Sequence, residues 1–210
     1  MLWGITGCSG TGASTVAEVW KRMGASVCSL DSVGHGFLEK TAVREALEKI
    51  LLIDGMAAMS ADAVRKELRE KAFSSPEVLQ GINSVLHPRL VRWVTVSAGV
   101  LKENRGVFVL DAALIFELRL EKYLNYVVTV TDQLERVTSR LAHRDGVSPE
   151  TVSGRWRSQL ALEEKTARSH FVIRNADTED ILKKNAEQFY TRVIQRMEEP
   201  GGTQNQKKAY

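Results

Sequence analysis

Five short apolar runs are spaced along the chain between helical stretches, and turn or helix signals bound each run. Runs of this kind are typical of strands buried in a parallel sheet. They cover Leu2–Thr6 and residues 26–30, 107–110, 126–130 and 171–173. Helical patterns between them, including residues 14–23 and 132–144, indicate βαβ units. The pattern predicts an α/β fold with a five-stranded parallel sheet flanked by helices.

The stretch from residue 34 to residue 105 is too long for a simple crossover between two strands. It reads as consecutive helices, with Ser60 as an N-cap before Ala61–Lys71 and with Ser75 and Pro76 at the start of the next helix. We interpret this stretch as a helical insertion that forms a substrate-binding wall. Extra helices that merely cover the sheet would give the same pattern.

A second helical hairpin is predicted after the fourth strand, at about residues 136–165. Gly146 suits the left-handed position that ends a helix, and Ser148 followed by Pro149 starts the next helix. The tail at residues 199–210 is polar and glycine-rich, so we expect it to be disordered. Residues 1–198 form a single domain in this interpretation.

The composition of the chain bears on the partners and the cellular setting that we expect. Hydrophobic residues make up 43% of the chain and charged residues 26%, which is ordinary for a globular protein. The net charge of +3 gives no strong basic field, so we expect no nucleic-acid partner. The first residues show neither a charged leader nor a long apolar span, so we expect no membrane association. Cys8 and Cys28 form neither a disulfide framework nor a metal-ligand pattern, which favours a reduced, cytoplasmic setting. We expect a monomer, with a weak oligomer as the alternative.

A glycine-rich segment between the first strand and the first helix has the spacing of a phosphate-binding loop, or P-loop. Glycines in such a loop let backbone N–H groups surround phosphate oxygens, and the following helix adds the positive end of its dipole. The hydroxyl of Ser14 is a candidate ligand for Mg²⁺. A glycine-rich turn without a ligand is the alternative. The predicted nucleotide-binding residues of this segment are Gly10, Thr11, Gly12, Ala13, Ser14 and Thr15.

Ala13 departs from the P-loop pattern, because a lysine normally stands at this position and contacts the β- and γ-phosphates. The backbone amides and the helix dipole remain, so nucleotide binding is expected to persist in weakened form. Loss of one preorganised charge-stabilising group costs on the order of 10²–10³ in turnover. We therefore expect a large loss of activity unless another cation occupies the same space.

Two aspartates follow predicted strands at the edge of the sheet where doubly wound folds bind ligands. Asp31 directly follows the second strand and is a candidate to orient an attacking hydroxyl and accept its proton. Asp111 directly follows the third strand and is a candidate ligand for Mg²⁺, directly or through water. Either aspartate could instead be a helix cap or a turn residue.

Arg136, Arg140 and Arg144 recur every four residues and share one face of a predicted helix, and Arg155 and Gln159 form a second pair at this spacing. Like charges at this spacing repel weakly unless an anion or carboxylates offset them. A hairpin that carries these cations is typical of a lid that closes over a triphosphate and supplies an arginine to the transferred phosphoryl group. A solvated helix face is the alternative.

Together these elements resemble the dephospho-coenzyme A kinase family, through about residue 177. The order and spacing of the segments carry the resemblance, rather than any single segment. The matching segments are 4–7 with the loop after it, Asp31, 65–73, 86–89, 111–117, 140–148, 155–159 and 171–175.

The resemblance implies a P-loop kinase fold and ATP-dependent phosphorylation of the 3′-hydroxyl of dephospho-coenzyme A, with Mg²⁺ accompanying ATP. Asp31 would be the base that contacts this hydroxyl, and Arg140 would be the lid cation at the transferred phosphoryl group. Arg144 and Asn175 would bind ATP, with Asn175 beside the adenine.

The helical part at residues 34–105 would bind the coenzyme A moiety, with His87 lining it, and Arg155 would contact the substrate. From the residues alone, His87 before Pro88 reads as a helix-breaking turn. Ala113 also departs from the family pattern, since it replaces a proline, but alanine can adopt the same backbone angles.

The leading hypothesis is an active kinase in which Arg140, Arg144 or another cation stands in for the missing lysine. The alternatives are a catalytically impaired regulatory protein that binds dephospho-coenzyme A or nucleotide, and a kinase of another small hydroxyl substrate. Cys8 lies within the loop, where the helix N-terminus would lower its pKa. A redox switch at Cys8 is one hypothesis, and an inert small residue that fills the loop is the other.

Overall fold

The structure is a computed structural model that describes residues 1–72, 75–101, 106–175, 178–198 and 208–209. The strands are β1 (Leu2–Thr6), β2 (Ser26–Ser29), β3 (Phe108–Asp111), β4 (Tyr126–Thr131), β5 (Phe171–Arg174) and β6 (Lys208–Ala209). The helices are α1 (Ala13–Arg22), α2 (Leu30–Phe37), α3 (Thr41–Leu51), α4 (Ala61–Lys71), α5 (Pro76–Leu101), α6 (Leu134–Asp145), α7 (Pro149–Arg157), α8 (Leu162–Arg168) and α9 (Glu179–Glu198). Short 3₁₀ helices span Met56–Ala58 and Leu120–Tyr123.

The strands form one sheet in the order β2-β3-β1-β4-β5-β6. β1 lies between β3 and β4 and is parallel to both, and β4 is parallel to β5. The predicted α/β fold with a parallel sheet flanked by helices is confirmed. The short strand β6 pairs in parallel with β5, at residues of the tail that the sequence predicts to be disordered. Most of that tail lies outside the described residues.

The chain divides into two compact units, one formed by Met1–Cys28 with Ala98–Tyr210 and the other by Ser29–Ser97. In the first unit, α1 and α9 are joined to the sheet through aromatic side chains. Trp3 of β1 is fully buried and meets Trp20 of α1 edge-on at 5.7 Å between ring centroids, and Trp20 stacks on Phe189 of α9 at 5.5 Å. The indole N–H of Trp20 donates to the carbonyl of Ala186 at 3.0 Å. Large aromatic rings packed in this way bury much apolar surface and hold α1, and therefore the loop before it, against β1.

The second unit contains α2 to α4 and most of α5, and its core includes Leu47, Met56 and Val64, which are fully buried. The predicted N-cap of α4 is confirmed, since the hydroxyl of Ser60 accepts a hydrogen bond from the N–H of Ala63 at 3.2 Å.

The predicted helix-breaking turn at Pro88 is wrong, because α5 continues through this residue from Pro76 to Leu101. A proline inside a helix removes one backbone hydrogen bond and tends to kink the helix. Val85 and Leu90 are buried on either side of Pro88, so packing of the apolar face offsets this loss.

No helix within the described ranges is long and apolar enough to cross a membrane.

Candidate active site

The loop between β1 and α1 has the backbone geometry of a phosphate cradle. Gly10 and Gly12 have φ angles of 85° and 103°, in the left-handed region that favours glycine. Gly12 is the N-cap of α1, and no side-chain hydrogen bond caps this helix among the described residues. The first N–H groups of α1 are therefore left for water or for an anion, which the helix dipole favours.

Asp111 lies beside the strand that leads into the P-loop. It is the last residue of β3 and is in register with Ile5 of β1. The N–H of Ala112 donates to the carbonyl of Ile5 at 3.0 Å, which continues this pairing past the end of β3. Asp111 therefore lies on the strand next to the one that leads into the P-loop, and its role as a Mg²⁺ ligand stays a prediction. Ser14, the other predicted Mg²⁺ ligand, is exposed in the first turn of α1.

Arg140 of α6 is bonded directly to the P-loop. Its Nη2 donates to the carbonyl of Gly10 at 2.6 Å and to Oδ2 of Asp132 at 2.9 Å. Asp132 follows β4, its side chain is 1% exposed, and it also pairs with Nε of Arg136 at 3.3 Å. The carboxylate of Asp132 thus offsets the repulsion between the two arginines. Because of the contact with Gly10, Arg140 does not belong to a merely solvated helix face. The side chain of Arg144 lies outside the described residues.

α7 and the segment directly after it hold the P-loop from a second direction. The indole N–H of Trp156 donates to the carbonyl of Ser9 at 2.8 Å, and the N–H of Ser9 donates to Oε1 of Gln159 at 3.0 Å. Sequence reasoning placed Gln159 only in a spacing pair with Arg155, and it gave Trp156 no role. Neither Trp156 nor Gln159 gives a signal of its own in the sequence, because their hydrogen bonds to Ser9 join residues 147 and 150 positions apart.

Asn175 braces the centre of the P-loop. It is buried after the end of β5, and its Nδ2 donates to the carbonyl of Thr11 at 2.9 Å. Its predicted position beside the adenine stays a prediction, as do the roles of Thr15 at ATP and of Arg155 at the substrate.

A family model described as dephospho-CoA kinase matches residues 1–180 of this chain. The chain belongs to the dephospho-CoA kinase family. The predicted family is therefore confirmed.

Individual relatives agree with this assignment. The dephospho-CoA kinase of Corynebacterium diphtheriae is 30% identical over 198 residues, which cover 93% of this chain and 98% of the relative. The dephospho-CoA kinase of Dehalococcoides mccartyi is 32% identical over 178 residues, which cover 82% of this chain and 87% of the relative.

Solved structures agree on the fold. TT1252 from Thermus thermophilus has a TM-score of 0.72 at 27% identity, covering 95% of this chain and 98% of its own. A dephospho-CoA kinase from Campylobacter jejuni has a TM-score of 0.64 at 22% identity, covering 93% of this chain and 96% of its own. The latter likeness shows the fold alone. The P-loop kinase fold expected from the sequence is confirmed.

In this member of the dephospho-CoA kinase family, the side chain at position 13 brings no polar group to the P-loop. Ala13 is partly buried and packs against the apolar cluster that contains Trp20. It supplies no charge. Arg140 is a cation that does bond to the P-loop backbone.

The thiol of Cys8 is not activated. Burial raises its pKa to about 11, an effect that outweighs the lowering by the positive charge of Lys165. The expectation that the helix N-terminus lowers this pKa is wrong. The side chain is 4% exposed, and its sulfur contacts the carbonyl of Leu160 at 3.8 Å. Cys8 therefore fills the loop as a small, protonated residue.

Asp31 and His87 lie in the second unit, Asp31 in the first turn of α2 and His87 in α5. β2 ends at Ser29, whose hydroxyl accepts from the N–H of Ser32 at 3.3 Å and caps α2. Asp31 is thus a helical residue rather than the first residue after a strand. The predicted roles of Asp31 as base and of His87 at the substrate stay predictions.

Proposed function

We propose that this chain transfers the γ-phosphoryl group of ATP to the 3′-hydroxyl of dephospho-coenzyme A, which yields coenzyme A in the last step of its synthesis. Membership of the dephospho-CoA kinase family supports the substrate and the reaction. The observation that carries an active enzyme, despite Ala13, is the hydrogen bond from Arg140 to the carbonyl of Gly10. This bond keeps a permanent cation at the loop that binds the phosphates.

The backbone N–H groups of the P-loop and of the first turn of α1 would bind the phosphate oxygens of ATP. Ser14 and Asp111 would hold Mg²⁺ through oxygen atoms, the donors that this ion prefers. When bound, Mg²⁺ neutralises charge on the β- and γ-phosphates. Asp31 would orient the 3′-hydroxyl and accept its proton while the new O–P bond forms and the bond to ADP breaks.

Arg140 is suited to replace the missing lysine because its guanidinium is always charged and has several donors in a fixed plane. The Nη2 of Arg140 donates to the carbonyl of Gly10 and to the carboxylate of Asp132. The side chain is 36% exposed, so part of it faces solvent. Asp132 fixes the orientation of this cation without neutralising its remaining donors. A preorganised donor of this kind costs no reorganisation when charge develops on the transferred phosphoryl group.

The test is formation of coenzyme A from dephospho-coenzyme A and magnesium-ATP by the purified protein, followed by chromatography of both nucleotides. We expect turnover that requires both substrates and that Asp31→Asn abolishes. Release of ADP without coenzyme A would contradict the proposed acceptor. A panel of nucleosides and sugar acids would then identify a different hydroxyl substrate.

Ala13 favours a second candidate, a protein that binds dephospho-coenzyme A or nucleotide but has little activity. This candidate predicts saturable binding of both ligands in calorimetry without coenzyme A formation. It also predicts that Ala13→Lys raises turnover by on the order of 10²–10³. A parent protein with ordinary turnover excludes it.

A further inference from the structure

Lys165 is a fully buried ammonium that the proposed reaction leaves without a role. It lies on α8 with 0% exposure. Its Nζ donates to Oε1 of Glu117 at 2.8 Å and to the carbonyl of Ala113. Removing such a charge from water is expensive, and the ion pair together with the carbonyl bond offsets that cost.

Stability alone does not explain such a pair. Replacing a buried ion pair by uncharged side chains of similar volume is often neutral or even stabilising, whereas removing one partner is strongly destabilising. Sequence reasoning missed Lys165, although one signal existed. It stands three residues after the buried Leu162, on the helix face where an apolar residue is expected.

The pair bonds the segment after β3 and the segment after α7, and the carbonyl of Ala113 links it to the start of the P-loop. Oε1 of Glu117 also accepts from the N–H of Leu160 at 2.8 Å, directly after Gln159, which binds Ser9. On the other side, the carbonyl of Ala113 also accepts from the hydroxyl of Thr6 at 3.2 Å. Thr6 is the last residue before the P-loop.

Ala113 also follows Asp111 by two residues, so the carbonyl that Lys165 holds lies directly after the strand that ends at the predicted Mg²⁺ ligand. In this way one ammonium and one carboxylate join the start of the P-loop, the segment after β3 and the segment after α7. The positive charge of Lys165 and the negative charge of Glu117 both act on Cys8 within the loop.

We propose that Lys165 and Glu117 are positioning residues for phosphoryl transfer, which fix the P-loop amides and the Asp111 strand end relative to each other. The inference rests on the proposed function. Without a lysine at position 13, the loop relies on the alignment of its backbone N–H groups, so small displacements matter more. A misplacement of about 1 Å can lower turnover on the order of 10²-fold.

The experiment compares the parent with Lys165→Met/Glu117→Gln, which removes both charges and keeps an oxygen to accept from Leu160. We expect this variant to melt close to the parent temperature, with kcat lower by on the order of 10²-fold and an unchanged KM for dephospho-coenzyme A. The matched control is Lys183→Met/Glu179→Gln, which neutralises an exposed pair on α9 whose atoms lie 2.8 Å apart, and which should keep the parent kcat. If the double variant does not fold, Glu117→Asp takes its place, because it keeps the charge opposite Lys165 and displaces the carboxylate, and kcat should again fall on the order of 10²-fold.

A folded variant with the parent kcat would overturn the proposal and leave the pair a structural feature. Turnover by the parent tests the proposed function separately. If the parent binds magnesium-ATP but forms no coenzyme A, the dissociation constant for magnesium-ATP becomes the readout. About tenfold weaker binding in the folded double variant supports positioning, and equal binding overturns it. A parent that does not bind magnesium-ATP refutes both proposals.

Discussion

Nη2 of Arg140 lies 2.6 Å from the carbonyl oxygen of Gly10, across 130 positions of the chain. The contact places a guanidinium against the apex of a P-loop that has no lysine of its own. The carboxylate of Asp132 binds the same nitrogen at 2.9 Å and holds the side chain in this orientation. The P-loop and α6 are therefore connected through this side chain, which makes Arg140 the first residue to test.

Arg140→Met is expected to lower kcat on the order of 10³-fold, the scale of an arginine that stabilises charge in phosphoryl transfer. Methionine keeps much of the aliphatic stem and removes only the charge and the donors. The measurement is steady-state coenzyme A formation at saturating substrates. Arg136→Met is the matched control, because Arg136 pairs with the same Asp132 from the same helix. Equal losses in the two variants would show that the effect comes from Asp132 or from folding of α6.

Ala13→Lys tests whether Arg140 replaces the lysine. If it does, the new lysine is redundant in the parent, and kcat should change by less than about tenfold. In the Arg140→Met background the same substitution should restore a large part of the lost turnover, because one cation is then again present at the phosphates. A steep rise in the parent background would instead support the impaired-protein alternative. Double-mutant analysis of kcat separates these results.

The fold could be predicted in large part from the sequence because its determinants are local. The five apolar runs correspond to β1 to β5 within a residue or two, and Ser60 caps α4 as its sequence context indicates. The positions of Gly10 and Gly12 likewise follow from the glycine pattern of a loop between a strand and a helix. The local sequence signal is misleading at Pro88, because tertiary packing continues the helix through this residue.

The contacts that complete the site could not be predicted, since they depend on how distant segments pack. The contacts of Trp156 with Ser9 and of Lys165 with Glu117 join residues far apart in the chain, and no pattern in the sequence pairs them. The direction of the Cys8 pKa shift could not be predicted for a related reason. The sequence shows the nearby helix N-terminus but not the burial that raises this pKa.

Gly12→Ala is expected to weaken both the fold and nucleotide binding. Gly12 has a φ of 103°, and a Cβ there would lie 2.8 Å from Cδ2 of Leu182 and 2.9 Å from Nδ2 of Asn175. The left-handed backbone costs an alanine about 1–2 kcal/mol, and the contacts add to this cost. Displacement of Asn175 would also loosen its bond to Thr11. The measurements are the free energy of unfolding in urea and the dissociation constant for magnesium-ATP.

Gly146→Ala is the control for this prediction. Gly146 ends α6 with a φ of 64°, but a Cβ there meets no atom within 4 Å among the described residues. Its loss of stability should therefore be limited to the backbone cost of about 1–2 kcal/mol. If the two glycine variants lose the same free energy of unfolding, the contacts at Gly12 contribute nothing.

The Cys8 thiol should resist alkylation at neutral pH. Burial raises its pKa from the ordinary 9.0 to about 11, so the reactive thiolate is scarce and the sulfur is shielded. Iodoacetamide labelling at pH 7.5, quantified by peptide mass spectrometry, should modify Cys8 far more slowly than a free thiol, whether or not magnesium-ATP is present.

The raised pKa of Cys8 also predicts a pH dependence of stability. Because the folded state favours the protonated thiol, the contribution of Cys8 to stability is complete below about pH 9 and is lost as the pH rises towards 11. Cys8→Ala, which has no thiol to titrate at this position, should show a smaller fall in melting temperature over that interval. Rapid labelling of Cys8 at pH 7.5 that magnesium-ATP suppresses would contradict this account and restore the redox hypothesis.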